Sequence, residues 1–222
     1  MNFQFEDLYD RLERGLVDIG MPLQDSQLNR LLDYLALLGK WNKTYNLTAI
    51  TDPQRMLYYH LLDSLVIHDR ILPGQSVLDV GSGAGLPGVP LAIALPGSKW
   101  TLLDCNGKKT RFLQQVLAVC ALDNAVVVKS RVEDYHAAKP FDIIVSRAFT
   151  SLAKFADSVT HLCQAETLLL SMKTSLSNSE ARELGDDRYW IQETELQVPG
   201  VIEKRSLVSL KIKAAAIAGK DN

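Results

Sequence analysis

The sequence predicts an α/β protein with a mainly parallel open sheet, an antiparallel pair of strands at the sheet edge and a helical N-terminal extension. Three observations support this. Over the first third of the chain, apolar residues recur at three- and four-residue steps, the period of an amphipathic helix. From residue 75, short β-branched runs alternate with helix-length stretches, as parallel strands joined by right-handed crossovers require. After residue 174, two strand-like runs follow each other with no helix between them, which suggests an antiparallel pair. A chain of 222 residues fits one domain, at roughly 100 to 200 residues per domain. The expected division is a single unit over 1–222, with a helical extension at 1–72 and an α/β core at 73–214.

Leu8, Leu12, Leu16 and Ile19 share one helical face, and Leu28, Leu31, Leu32, Leu35 and Leu38 share another, with Gly20-Met21-Pro22 as the break. Residues 41–48, Trp41-Asn42-Lys43-Thr44-Tyr45-Asn46-Leu47-Thr48, are rich in side chains that bond their own backbone and read as a structured loop. A third helix starts at Thr51-Asp52-Pro53, where Thr51 or Asp52 can accept orphan amides and Pro53 suits the first turn. It carries Leu57, Leu61, Leu62 and Leu65 on one face and is expected to stop near Pro73-Gly74. Strands are expected at Ser76 to Val80, Lys99 to Leu103, Ala125 to Val128, Asp142 to Val145 and Thr167 to Leu170. Helices are expected between them at about 87 to 95, 108 to 121 and 152 to 162. A polar helix at Ser179 to Leu184 precedes two strands, Tyr189 to Gln197 and Leu207 to Lys213, on either side of Pro199-Gly200. The tail from Ala214 to Lys220 reads as frayed.

Composition excludes several classes. Hydrophobic residues make up 47% and charged ones 23%, far from a disordered chain. The formal net charge of -2 gives no global positive field, so a nucleic acid would have to be held by a local patch. Cys105, Cys120 and Cys163 form no C-x-x-C, so neither a disulfide framework nor a clustered zinc site is indicated, and no metal is expected. The N-terminus lacks a basic region followed by an apolar core, and no run approaches roughly 18 apolar residues. A cytoplasmic protein with no membrane partner is expected, and a monomer, since no dimerisation heptad is present.

The strongest chemical signal is Val77-Leu78-Asp79-Val80-Gly81-Ser82-Gly83-Ala84-Gly85-Leu86-Pro87-Gly88, a hydrophobic strand entering a glycine turn that opens a helix. Such a turn allows close backbone approach to a ligand, and the helix N-terminus offers free amides to an anionic group. Asp104 ends the next strand about 20 residues beyond the glycines, the offset at which an acid reaches ribose hydroxyls in nucleotide-binding sheets. Gly83-Ala84-Gly85-Leu86-Pro87-Gly88 also satisfies G-x-G-x-x-G, so a dinucleotide must be weighed. Asp79, two residues before Gly81, would repel a pyrophosphate but favour a sulfonium or an α-ammonium group, which points to S-adenosylmethionine rather than NAD. At the other strand ends, a backbone amide of Ser130-Arg131-Val132-Glu133-Asp134 could meet an adenine edge with Val132 over its face, and Ser146-Arg147-Ala148-Phe149 points into the same crevice. Arg131 and Arg147 could instead pair with Glu133, Asp134 or Asp142. No N-P-P-Y or D-P-P-Y follows strand four, and no cysteine follows a proline, which disfavours exocyclic amine and pyrimidine C5 methylation. A ring nitrogen with an exposed lone pair, such as guanine N7, needs no base and could be methylated by alignment alone.

Residues 79–91, with Thr101-Leu102-Leu103-Asp104, Lys108-Lys109-Thr110-Arg111-Phe112-Leu113, Ser130-Arg131-Val132-Glu133 and Ser146-Arg147-Ala148, resemble the bacterial 16S ribosomal RNA guanine-N7 methyltransferase family. This is methyltransferase G of the small subunit, also called glucose-inhibited division protein B. Residues 41–48 and His60-Leu61-Leu62-Asp63-Ser64-Leu65 match the family's N-terminal helical part, and the resemblance runs from about residue 10 to 213. It implies a Rossmann-like class I S-adenosylmethionine-dependent methyltransferase acting on one guanine near the decoding centre, with 16S rRNA or the small ribosomal subunit as partner. Carried over, Gly81, Leu86, Val132, Glu133 and Arg147 would contact the methyl donor, Asp104 would take its ribose, and the turn of Gly81, Gly83 and Gly85 would hold the methionine part. Catalytic residues stay unassigned, with Arg147 and Lys173 as candidates for positioning the substrate. Lys173-Thr174 departs from the lysine-glycine usual in the family.

Lys108, Lys109, Arg111, Arg131, Lys139, Arg147 and Lys173 form a candidate basic surface for RNA phosphates, or simply a solvated face. Asn42, Asn46 and Thr48 either frame a flipped base or cap the adjoining helix. His60 and Asp63, three apart, could bond across one turn. Trp100 and Phe112 read as core, and Cys105 as a border of the ribose site. Two rivals stand beside the RNA enzyme: a methyltransferase of the same fold acting on a small metabolite, and a regulatory protein that binds the cofactor without turnover.

Overall fold

The computed structural model describes residues 3–147, 149, 151–185 and 188–213. Seven strands form one sheet: β1 Ser76–Val80, β2 Lys99–Asp104, β3 Ala125–Lys129, β4 Phe141–Ser146, β5 Cys163–Lys173, β6 Tyr189–Leu196 and β7 Arg205–Ile212. Their order is β3-β2-β1-β4-β5-β7-β6. Strands β1 to β5 pair in parallel, while β7 runs antiparallel to both β5 and β6. The chain reverses direction across the sheet between β1 and β4, and open α/β sheets bind ligands at that switch point, outside the carboxyl ends of the strands.

Alternation along the strands assigns the two faces. Val77, Ile143 and Val145 belong to one apolar cluster, while Leu78, Val80 and Ile144 belong to the other. The first face is covered by α1 Phe3–Asp18, α2 Asp25–Tyr45, the helix that starts with α3 Pro53–Met56 and finishes with α4 Asp63–Leu65, α5 Gly88–Ala94 and α6 Gly107–Val119. The second is covered by α7 Leu152–Val159 and α8 Asn178–Leu184. Trp100 and Phe112, expected in the core, are 2% and 0% exposed.

Strand β5 begins at Cys163 rather than Thr167, and two expected helix boundaries are also wrong. Residues 41–45 are not loop but the last turn and more of α2, because Trp41 packs its ring 5.6 Å from Phe112 and keeps the helix running. The loop chemistry acts just beyond: Asn46 takes the left-handed conformation (φ 50), and Asn42 exchanges two hydrogen bonds with the backbone of Thr48, at 3.0 and 2.9 Å. These side chains therefore close the helix end, the capping alternative. The third helix starts as expected, with Asp52 Oδ2 accepting the Arg55 amide at 2.7 Å, but ends at Leu65 rather than near Pro73. Its middle, Leu57–Leu62, is a π-helical stretch in which the Asp63 amide reaches back to the Tyr58 carbonyl. The tail from Ala214 to Lys220, Ala148 and the first two residues lie outside the described residues.

Candidate functional site

Two hollows meet at the carboxyl edge of the sheet. The first lies beyond β1, β2 and β3. After Val80 the chain turns through Gly81 (φ 70) and Gly83 (φ 58), a backbone that side chains rarely adopt. The amides of Gly81 and Ser82 donate to the Leu103 carbonyl at 2.8 and 3.0 Å, tying the turn to the end of β2. A Cβ on Gly85 would sit 2.6 Å from Val89 Cγ2, so the loop can settle on α5 only without a side chain there. Asp104, 6% exposed, accepts the Gly83 amide on Oδ2 at 2.9 Å and the Asn106 amide on Oδ1 at 2.8 Å. Lys109 Nζ stands 3.7 Å from the same carboxylate. Gly81, Asp104, Cys105, Ser130, Arg131, Val132, Glu133 and Phe149 line a cavity of about 320 Å³.

The second hollow, about 330 Å³, opens on the other side of Phe149. Its charged wall is assembled from three distant segments. Asp63, 4% exposed, accepts Arg147 Nη1 on Oδ2 at 3.0 Å and Arg205 Nε on Oδ1 at 2.9 Å. Arg147 Nη1 also donates to the Tyr59 carbonyl at 3.1 Å, and the Arg205 guanidinium lies 5.8 Å from the Tyr59 ring centre. Burial raises the Asp63 carboxyl above its ordinary value, opposed by the charges of Arg147 and Arg205. Met172, Lys173, Thr174 and Leu196 complete the lining, with Lys173 held in an ion pair with Glu180 of α8.

Of the residues predicted for the donor, Gly81, Asp104, Val132 and Glu133 line the first hollow, and Gly83 joins it through its amide on Asp104. Gly85 and Leu86 lie behind the turn, Leu86 at 7% exposure in the core. Arg147, expected at the donor and also as a candidate for positioning the substrate, lines the second hollow, together with Lys173, the other candidate for positioning the substrate. The electrostatic role expected of Asp79 is overturned. Its side chain is fully buried beneath the loop, with Oδ2 accepting the Gly88 amide at 3.1 Å and Oδ1 making no hydrogen bond among the described residues. Burial pushes this carboxyl up to about 7, so Asp104 is the acid that faces the hollow. His60 and Asp63 do not bond to each other. His60 Nε2 pairs with Thr48 Oγ1 at 2.9 Å, and burial, with Arg147 nearby, lowers its pKa to about 4. Among the described residues Arg131 makes no ion pair, and Lys108 and Lys139 are exposed, so the basic surface is only partly engaged. Sequence reasoning missed Tyr59 and Arg205, which stand 142 residues apart from Asp63 or on a π turn and leave no local pattern.

The first hollow suits S-adenosylmethionine. Each Asp104 oxygen uses one lone pair on a backbone amide and keeps another that a ribose hydroxyl would use, Val132 would cover adenine with an apolar side chain, and the turn at Gly81 brings bare backbone to the edge of the hollow. A sheet of this order, with a glycine turn after β1 and an acid at the end of β2, defines a Rossmann-like S-adenosylmethionine-dependent methyltransferase. A solved S-adenosylmethionine-dependent methyltransferase from Aquifex aeolicus shares the fold at a TM-score of 0.56, with 17% identity, 79% of this chain and 98% of that one covered. The sequence narrows the class: residues 27–208 match the family described as rRNA small subunit methyltransferase G, and the chain belongs to that family. A Pseudomonas aeruginosa protein named ribosomal RNA small subunit methyltransferase G is 50% identical over 205 residues, 92% of this chain and 96% of that relative. A Stutzerimonas stutzeri protein of the same name is 48% identical, covering 95% and 99% of the two chains.

Proposed function

We propose that the protein transfers a methyl group from S-adenosylmethionine to N7 of one guanine in 16S rRNA, near the decoding centre of the small ribosomal subunit. The observation that supports this most directly is the shared wall at Phe149, which sets an acid-tipped hollow suited to the donor against a cation-lined hollow suited to a nucleotide. S-adenosylmethionine, held in the first hollow, would supply an electrophilic methyl carbon on a sulfonium sulfur.

The chain's own contribution is binding and alignment. Asp104 takes the ribose hydroxyls, Gly81, Gly83 and Gly85 shape the turn for the methionine part, and Val132 and Glu133 hold the adenine. N7 carries a free lone pair and loses no proton, so no general base is required. The second hollow agrees: its acid, Asp63, is committed to two arginines, and Lys173 is committed to Glu180. Arg147 and Lys173 act on the nucleotide side. Helical residues 1–72 and core 73–214 work as one methyltransferase unit, in keeping with the apolar cluster that joins Leu12 to Leu207. The protein acts as a monomer in the cytoplasm, where its ribosomal RNA substrate is; no described helix is long and apolar enough to cross a membrane.

A mass-spectrometric map of modified guanines in small subunits, from cells with and without the gene, tests the reading. One 7-methylguanosine should vanish with the gene and return when purified protein and donor are added. An unchanged map overturns it.

A further inference from the structure

The charged wall of the second hollow has a geometry that alignment alone does not require. One buried carboxylate receives two guanidiniums, each on its own oxygen, from the end of β4 and the start of β7. Both arginines reach the cavity, with side-chain exposures of 26% for Arg147 and 18% for Arg205. Arg205 spends Nε on Asp63 and Nη1 on the Lys204 carbonyl at 3.2 Å, and its Nη2 makes no hydrogen bond among the described residues. Two cations this close repel each other in a half-buried setting, and the carboxylate between them holds the pair in one orientation.

We infer that Asp63 is a positioning residue that sets the Arg147 and Arg205 guanidiniums to donate to O6 of the purine, so that guanine is accepted and adenine refused. This rests on guanine being the methyl acceptor. Guanine presents an oxygen acceptor at position 6 beside N7, where adenine presents an amino donor. A fixed guanidinium is satisfied by the first and opposed by the second, and N7 is reactive in both bases, so the choice must come from the neighbouring group. A fork held on Oδ1 and Oδ2 of Asp63 can bond O6 while leaving N7 open to the methyl. Without the carboxylate the wall would hold two uncompensated cations and lose its fixed aim. Asp63 touches the arginines rather than the base, so its influence passes through them.

The experiment uses reconstituted small subunits whose 16S RNA carries guanine, adenine or 2-aminopurine at the modified position. The last keeps N7 and lacks O6. Affinity is measured without cofactor, and single-turnover methyl transfer with it. Wild-type protein should prefer guanine over 2-aminopurine by about 10- to 100-fold, in line with the worth of a good arginine contact to a base edge. D63N, with donor affinity and thermal transition like wild type, should lose most of that preference in both measurements. Should D63N fail to fold, R205Q carries the same test, because Arg205 is partly exposed and its loss leaves Asp63 paired with Arg147. A folded D63N or R205Q protein that keeps the wild-type preference overturns the inference. A wild-type protein that methylates no guanine in the particle overturns instead the functional reading beneath it.

Discussion

The hollow beyond Gly81 and the hollow beside Asp63 share Phe149 as a wall but are held by different forces. The first is backbone: amides of Gly81, Ser82 and Gly83 clasp the end of β2, and its polar lining comes from short stretches at 81, 104–109 and 130–133. The second is side-chain charge: Asp63, Arg147, Arg205 and the Lys173 to Glu180 pair converge from the helical extension, β4, β5, β7 and α8. A donor molecule that never varies can be met by a rigid backbone cradle. A particular nucleotide in a large RNA needs donors aimed at chosen atoms, and aimed donors need partners to hold them.

The largest expected effect falls on the first hollow. D104A removes the acceptor proposed for the ribose and also strands the Gly83 and Asn106 amides. Hydrogen bonds to a charged group contribute roughly 1.5–3 kcal/mol each, so S-adenosylhomocysteine should bind on the order of 100-fold more weakly by calorimetry. Cofactor-free affinity for small subunits should change little. Unaltered calorimetric affinity would remove Asp104 from the donor site, and a matching fall in affinity for subunits would show that the two hollows are not separable.

The same difference decided what could be seen in the sequence. The strands stood out because Val77-Leu78, Ile143-Ile144 and Val126-Val127 are β-branched or apolar runs bounded by turns. The glycine loop and Asp104 stood out because the first hollow is local in sequence. Even there Asp79 misled, since nothing in a linear string distinguishes a carboxylate aimed at a ligand from one folded under Gly88. The second hollow was nearly silent. Asp63 and Arg205 meet only because β7 inserts antiparallel between β5 and β6, and Tyr59 offers its carbonyl to Arg147 from a π turn that periodicity does not reveal. The end of α2 is hidden for a related reason: Asn42 and Asn46 are loop formers by type, but packing of Trp41 on Phe112 carries the helix past Asn42 to Tyr45, and Asn46 closes it.

Asp79 gives the next test, because it is an acid buried beneath the backbone-built hollow. Its carboxyl titrates near 7 when folded, against 3.8 as the ordinary value, and burial is the cause. A raised acid favours the folded state fully below the unfolded pKa, and that contribution is lost as pH rises through the folded value. Wild-type stability should therefore fall relative to D79N between pH 5 and pH 8, by about 2–3 kcal/mol, since the roughly two pH units from 5 to the folded value count 1.36 kcal/mol each. Urea unfolding of both proteins at the two pH values checks it. A stability difference that stays constant with pH would mean that Asp79 is ionised throughout, and that the first hollow also depends on charge.

The smallest effect probes how the charged wall is hung. The helix that bears Tyr59 and Asp63 begins at Asp52, whose Oδ2 takes the Arg55 amide at 2.7 Å, with Pro53 in the first turn. Replacing such a cap with alanine costs about 1 kcal/mol, and the segment packs on α1 and α2 through buried Met56, Leu57 and Leu61, so D52A should still fold. Fraying of the first turn loosens Arg55 and Tyr59, and with them the carbonyl that receives Arg147. Affinity for small subunits should then drop about 2- to 5-fold while S-adenosylhomocysteine binding holds, because no residue of the first hollow lies on this helix. Equal losses on both sides would show instead that the helix supports the whole carboxyl edge, and that Phe149 transmits a disturbance from one hollow to the other.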